Sequence, residues 1–144
     1  MKKLFNYCLL LLFIWTTVRC QSTDSITRIE YTTLTRGFQK QVRITPDSVV
    51  SITEGRGDVN GRIEHRITDS EWKTLRQKLE GVELDEIPAL LSPTSKRAYD
   101  GARHSTLIIT DDKGKTWQHS FDDEVPNDKL KPLLEALLSL DNHN

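Results

Sequence analysis

The chain has 144 residues, 20 basic against 21 acidic, and an unremarkable 36% of hydrophobic side chains. That length supports one ordinary domain with its own core, and the near-neutral balance argues against nucleic acid, whose binding needs clustered positive charge. With two cysteines in all, a disulfide-stapled scaffold is excluded.

Residues 1–20, MKKLFNYCLLLLFIWTTVRC, read as an export signal: Lys2 and Lys3 form a basic start, Leu4 to Trp15 an apolar run, and a short polar stretch ends at Cys20. The apolar run is about twelve residues, whereas a spanning helix needs about twenty. Cys20 stands where a bacterial lipoprotein carries the cysteine that receives lipid and becomes the new N-terminus. The residue before it, Arg19, is bulky and charged where that pattern wants a small one, so simple cleavage after Cys20 is the alternative. Exported either way, the domain works in the periplasm or at the outer membrane if Cys20 is lipidated, and is secreted if it is not. Cys8 lies inside the signal, so processing leaves no pair for an intramolecular disulfide. Losing Lys2, Lys3 and Arg19 leaves 17 basic against 21 acidic residues, a net charge of −4.

Residues 21–25 are small and polar, a short tether, and the folded domain is expected over 26–141. Period-two alternation then marks four strands with one buried face: Ile29, Tyr31 and Thr33; Phe38, Val42 and Ile44; Val50 and Ile52; Ile63, His65 and Ile67. Arg36-Gly37, Pro46-Asp47 and the stretch from Gly55 to Gly61 supply the turns, which predicts an antiparallel meander. Thr68-Asp69-Ser70-Glu71 is a capping box that opens a helix with Trp72, Leu75, Leu79 and Val82 on one face and Gly81 as its stop. A second short apolar segment carries Leu84, Ile87, Leu90 and Leu91.

Residues 92–103 form a long polar loop, of a length that often carries function. A hairpin follows, Ser105 to Thr110 and Thr116 to Phe121, whose three-residue turn puts Gly114 in the left-handed position. Leu130, Leu133, Leu134, Leu137 and Leu138 mark a last helix, with Pro132 near its start. The order ββββα-loop-ββα is α+β: an antiparallel sheet, a four-strand meander plus a C-terminal hairpin, with two helices packed on one face.

Among chemistry-bearing residues, His65 and His119 share the buried parity but lack a third ligand at metal spacing, so no metal and no cofactor is expected. Asp100, His104 and Ser105 suggest a triad only by adjacency; His104 and Ser105 point to opposite faces of a strand, and no nucleophile elbow is present. Asp122, Asp123 and Glu124 offer oxygen ligands for calcium, yet Asp123, Glu124 and Asp128 suit solvated positions near the start of the last helix. Arg56-Gly57-Asp58 spells an adhesion tripeptide, but Gly-Asp is first a turn signal. The outward parity of the meander carries Arg28, Glu30, Gln41, Arg43, Arg62, Glu64 and Arg66, and arginine suits interfaces better than lysine does.

Glu30-x-x-x-x-x-Arg36-Gly37-Phe38, the segment from Ser92-Pro93-Thr94 to Tyr99-Asp100-Gly101-Ala102, and Ser120-Phe121-Asp122 before a Leu-rich helix resemble small uncharacterised envelope proteins, often lipoproteins, of Bacteroidota-type bacteria. The resemblance spans most of the chain after the signal. It implies a small single-domain envelope protein and supplies no activity, catalytic residue or ligand.

The expectation is therefore a non-enzymatic envelope domain that binds another envelope protein through Arg28, Arg43, Arg62, Arg66, Tyr99 and Asp100, and touches a membrane only through a lipid on Cys20. The alternative is an accessory domain holding a small ligand or a metal, less readily a hydrolase, near Tyr99, Asp100, His104 and His119.

Overall fold

The computed structural model describes residues 23–57, 59–98 and 102–142. The signal, Cys20, Tyr99 and Asp100 lie outside the described residues. Four strands run in sequence, β1 (Ile26–Thr35), β2 (Phe38–Ile44), β3 (Ser48–Gly55) and β4 (Gly61–Arg66), followed by helix α1 (Asp69–Gln77). Two 3₁₀ segments, Leu84–Ala89 and Lys96–Ala98, lead to β5 (His104–Asp111) and β6 (Thr116–Asp122). A 3₁₀ turn, Asp128–Leu130, then opens helix α2 (Lys131–Asp141). The fold is α+β, a six-stranded antiparallel sheet in the order β4-β3-β2-β1-β5-β6, so the C-terminal hairpin adds to the edge of β1 that the meander leaves free.

Each local feature follows from its residues. Gly37, at φ +82°, supplies the left-handed turn between β1 and β2, and the Arg56 side chain lies so close that a Cβ there would meet its Nε at 2.7 Å. A bulge at Thr27 lets Ile26 and Ile29 both face the core although they are three residues apart. The capping box of α1 is complete: the Glu71 amide donates to Thr68 Oγ1 at 3.2 Å, and Glu71 Oε2 accepts from the Thr68 amide at 2.7 Å. Regular helix stops at Gln77, short of the predicted Val82; Leu79 reaches the core from the turn behind it, and Gly81 adopts φ +81°. In the β5–β6 hairpin Asp111 Oδ1 accepts from the amides of Lys113 and Lys115, and Gly114 takes the left-handed position expected of it.

The helices cover one face. Trp72, Leu75, Leu79, Leu84 and Ile87, with Leu130, Leu133, Leu134 and Leu137, pack on Ile29, Tyr31, Val42, Ile44, Leu107, Ile109, Trp117 and Phe121. Each such side chain contributes on the order of 2 kcal/mol by leaving water. Phe121 stacks between Tyr31 and His119, with centroids 6.3 and 5.4 Å away. At the far end of α2, Asp141 forms an ion pair with Lys40 of β2.

One strand parity is the reverse of the expected one. Val49 and Ser51, not Val50 and Ile52, face the helices. The cause is the tight β2–β3 turn, in which the Thr45 amide donates to the Ser48 carbonyl at 2.9 Å. That closure pairs Ile44 with Val49 and Val42 with Ser51, and a one-residue slip would bury the wrong set. Val50 and Ile52 are therefore half-buried on the opposite face. Ile63 and His65 face the helical side, as their parity predicts, but on an edge strand that the described helices do not cover fully, so Ile63 stays 36% exposed.

Candidate functional site: the outer sheet face

The sheet face turned away from the helices is built by registers that hairpin lengths dictate. One row across it reads Glu64, Val50, Arg43, Glu30, Ile108 and Gln118. The next reads Arg62, Ile52, Gln41, Thr32, Thr106 and Ser120. Arg28 pairs with Thr110, and Arg66 stands at the end of β4 opposite Ser48. Val50 and Ile52 are half-buried neighbours on β3, Ile108 is half-buried on β5 with Arg43 and Glu30 between it and Val50, and Leu34, 43% exposed, adds an apolar side chain toward one end.

Arginines stand among these aliphatic side chains. Glu30 sits between two of them, receiving Arg43 Nε at 2.8 Å and Arg28 Nε at 3.0 Å. Arg62 pairs with Glu64 on its own strand at 2.8 Å. Because Arg43, Arg62 and Glu64 are half or more exposed, these pairs add at most about 1 kcal/mol each to stability. Four arginines against Glu30, Glu54 and Glu64 leave this face slightly positive on a chain whose total charge is −1. All four arginines expected to bind, Arg28, Arg43, Arg62 and Arg66, lie on this one face. Hydrophobic spacing alone did not place Val50 and Ile52 on this face; the signal that places them is turn length, which sets the register.

The histidines do not converge. His65 is on β4 and His119 on β6, at opposite edges of the sheet. His104 pairs with Leu34 on the outer side, whereas His119 is buried on the helical side, where its Nε2 accepts from the Asn127 amide at 3.2 Å. A site joining His104 to His119 would have to pass through the sheet. Among the described residues no group of three His, Cys, Asp or Glu side chains gathers at metal-binding range. The Ser105 hydroxyl is enclosed, donating toward Thr33 Oγ1 and the Asp123 carbonyl, with the Tyr31 hydroxyl 3.4 Å away. Burial pushes the Tyr31 phenol up from its ordinary value, against the lowering effect of its hydrogen bonds to Ser105 and Thr33.

The acidic cluster after β6 anchors the long loop. Asp122 is fully buried, and its Oδ2 accepts from Thr94 Oγ1 and from the Lys96 amide, both at 2.6 Å. Asp123, at φ 54°, exchanges backbone and side-chain hydrogen bonds with Arg103, and Arg103 lies over the Phe38 ring at 5.5 Å. Residues 92–98 are thereby tied to the end of β6, beside the outer face. A separate cavity of about 440 Å³ opens between the β2–β3 turn and the end of β4, with Asp47, His65 and Asp69 among the residues that line it. No described helix is long and apolar enough to cross a membrane. No protein-family model, no curated protein and no solved structure matches the chain.

Proposed function

We propose that this protein is a non-enzymatic, exported cell-envelope domain that holds another envelope protein against its outer sheet face. One observation carries the reading: on the sheet face away from the described helices, half-buried Val50, Ile52 and Ile108 are interleaved with Arg28, Arg43, Arg62 and Arg66. A solvated sheet face needs no such aliphatic residues, whereas interfaces mix apolar side chains with arginine. The partner that fits presents apolar side chains interspersed with acidic ones. The anchored 92–98 segment extends the same surface at the end of β6.

Export rests on the tripartite pattern of residues 1–20. Affinity capture from envelope extracts tests the docking surface: the Arg43→Glu, Arg66→Glu double variant loses the partner that the unaltered chain retains. Undiminished capture would sink this surface. Mass spectrometry of the mature N-terminus tests the address: a lipid-modified Cys20 means an anchored domain, cleavage after Cys20 a free one, and an intact residue 1–20 segment in the mature protein contradicts export.

A further inference from the structure

The two edges of the sheet differ. At one, β6 packs beside the 84–89 segment, with Trp117 Nε1 donating to Asp85 Oδ1 at 2.8 Å. At the other, β4 has β3 as its strand neighbour and presents its remaining backbone groups outward. Exposed edges are commonly blunted by Pro, Lys or a bulge. Gly61–Arg66, GRIEHR, has no Pro and no bulge against β3, and its charges, Arg62, Glu64 and Arg66, are of both signs, so a second copy can meet them with complementary ones. It also carries Ile63, 36% exposed, between Arg62 and Glu64, whose side chains are 57% and 56% exposed.

We propose that β4 is a homodimer edge, pairing antiparallel with β4 of a second copy about a two-fold axis at Ile63. The chemistry of the strand selects both the occupant and the register. With Ile63 opposite Ile63 of the second copy, Arg62 stands opposite its Glu64 and Glu64 opposite its Arg62 on the outer face. Gly61 then faces His65, so that crowded position receives no side chain, and a Cβ at Gly61 meets nothing within 4 Å in the single chain. Moving the axis to Glu64 would set Glu64 on Glu64 and Arg62 on Arg66, both repulsive. A one-residue slip would oppose Ile63 to Glu64 and turn the two helical layers to opposite faces. An axis at His65 would also oppose Glu64 to Arg66, but it pairs only residues 64–66 of the strand and sets Ile63 against Ile67 beyond its end, whereas the Ile63-centred register pairs residues 61–65 with apolar on apolar and Arg62 on Glu64. It joins two six-stranded sheets into one continuous sheet with the outer faces side by side. This inference stands on the edge strand and does not depend on the partner proposed above.

Sedimentation equilibrium of the full chain, in a density-matched neutral detergent, reads the outcome. The unaltered chain sediments as a dimer. Arg62→Glu opposes like charges twice across the axis and weakens the dimer by about tenfold or more. Combining it with Glu64→Arg restores complementarity and brings the dissociation constant back. In a Cys8→Ser, Cys20→Ser background, Ile63→Cys gives an intermolecular disulfide, since directly opposed residues of an antiparallel pair lie within bonding reach, while Glu135→Cys on α2 gives none. A monomeric unaltered chain would overturn the proposal. So would a dimer indifferent to Arg62→Glu, or one that the second substitution fails to rescue. Circular dichroism of each variant separates loss of pairing from loss of fold.

Discussion

Thr94 donates its hydroxyl to Asp122 across 2.6 Å, and that fully buried carboxylate also receives the Lys96 amide at the same distance. The long polar loop is therefore pinned to the sheet at the end of β6. Replacing Asp122 by Ala leaves both donors without their acceptor and is expected to cost about 2–4 kcal/mol in urea unfolding. Thr94→Val removes one bond and costs about 1 kcal/mol. In hydrogen exchange the Lys96 amide loses protection in the Asp122 variant, and unchanged protection would show that the anchor lies elsewhere.

The Tyr31 phenol predicts a pH limit. Its pKa is raised above the ordinary 10.0 by burial, so the folded chain keeps a proton that the unfolded chain releases at lower pH. This contribution is fully present below about pH 10 and is lost as pH rises through that value toward the folded pKa. Urea midpoints of the unaltered chain should fall above pH 10, and those of Tyr31→Phe should fall less. Parallel curves for the two proteins would contradict the assignment. At neutral pH Tyr31→Phe costs about 1 kcal/mol or less, because Ser105 retains Thr33 and the Asp123 carbonyl as acceptors.

Thr68 holds the first turn of α1 through both halves of the capping box. Thr68→Ala should lower stability by about 1 kcal/mol, read in thermal or urea unfolding. Glu71→Ala should give a smaller loss, and the double variant less than the sum of the two, because they share one reciprocal pair.

These elements also mark what could be read from the chain alone. Thr68 to Glu71, Gly114, the leucines of α2 and the buried parity of β1 were legible because each depends on neighbours within a few residues. The parity of β3 was not. Val49 and Val50 are equally apolar, and the choice between them is made by the Thr45–Ser48 turn and its pairing with β2. The arginines of the outer face were legible from alternation, whereas the outward turn of Val50 and Ile52 depends on that same register. The role of Asp122 was hidden for a related reason: Thr94 and Lys96 are 28 and 26 residues away.

The outer face should tolerate charge reversal without loss of fold. Arg66 is exposed and Glu30 keeps Arg28 when Arg43 opposite it is reversed, so Arg43→Glu with Arg66→Glu should cost only about 1–2 kcal/mol while abolishing capture of the partner. A large drop in the unfolding midpoint would mean that these arginines serve the fold itself.

Site-directed photo-crosslinking in cells tests the docking surface directly. A photoreactive side chain at Ile52 or Ile108, on the outer face, should give one shared envelope-protein adduct, and the same group at Lys73 or Glu135, on exposed helix surface, should give none. Adducts at the helical positions alone, or at no outer-face position, would contradict the account.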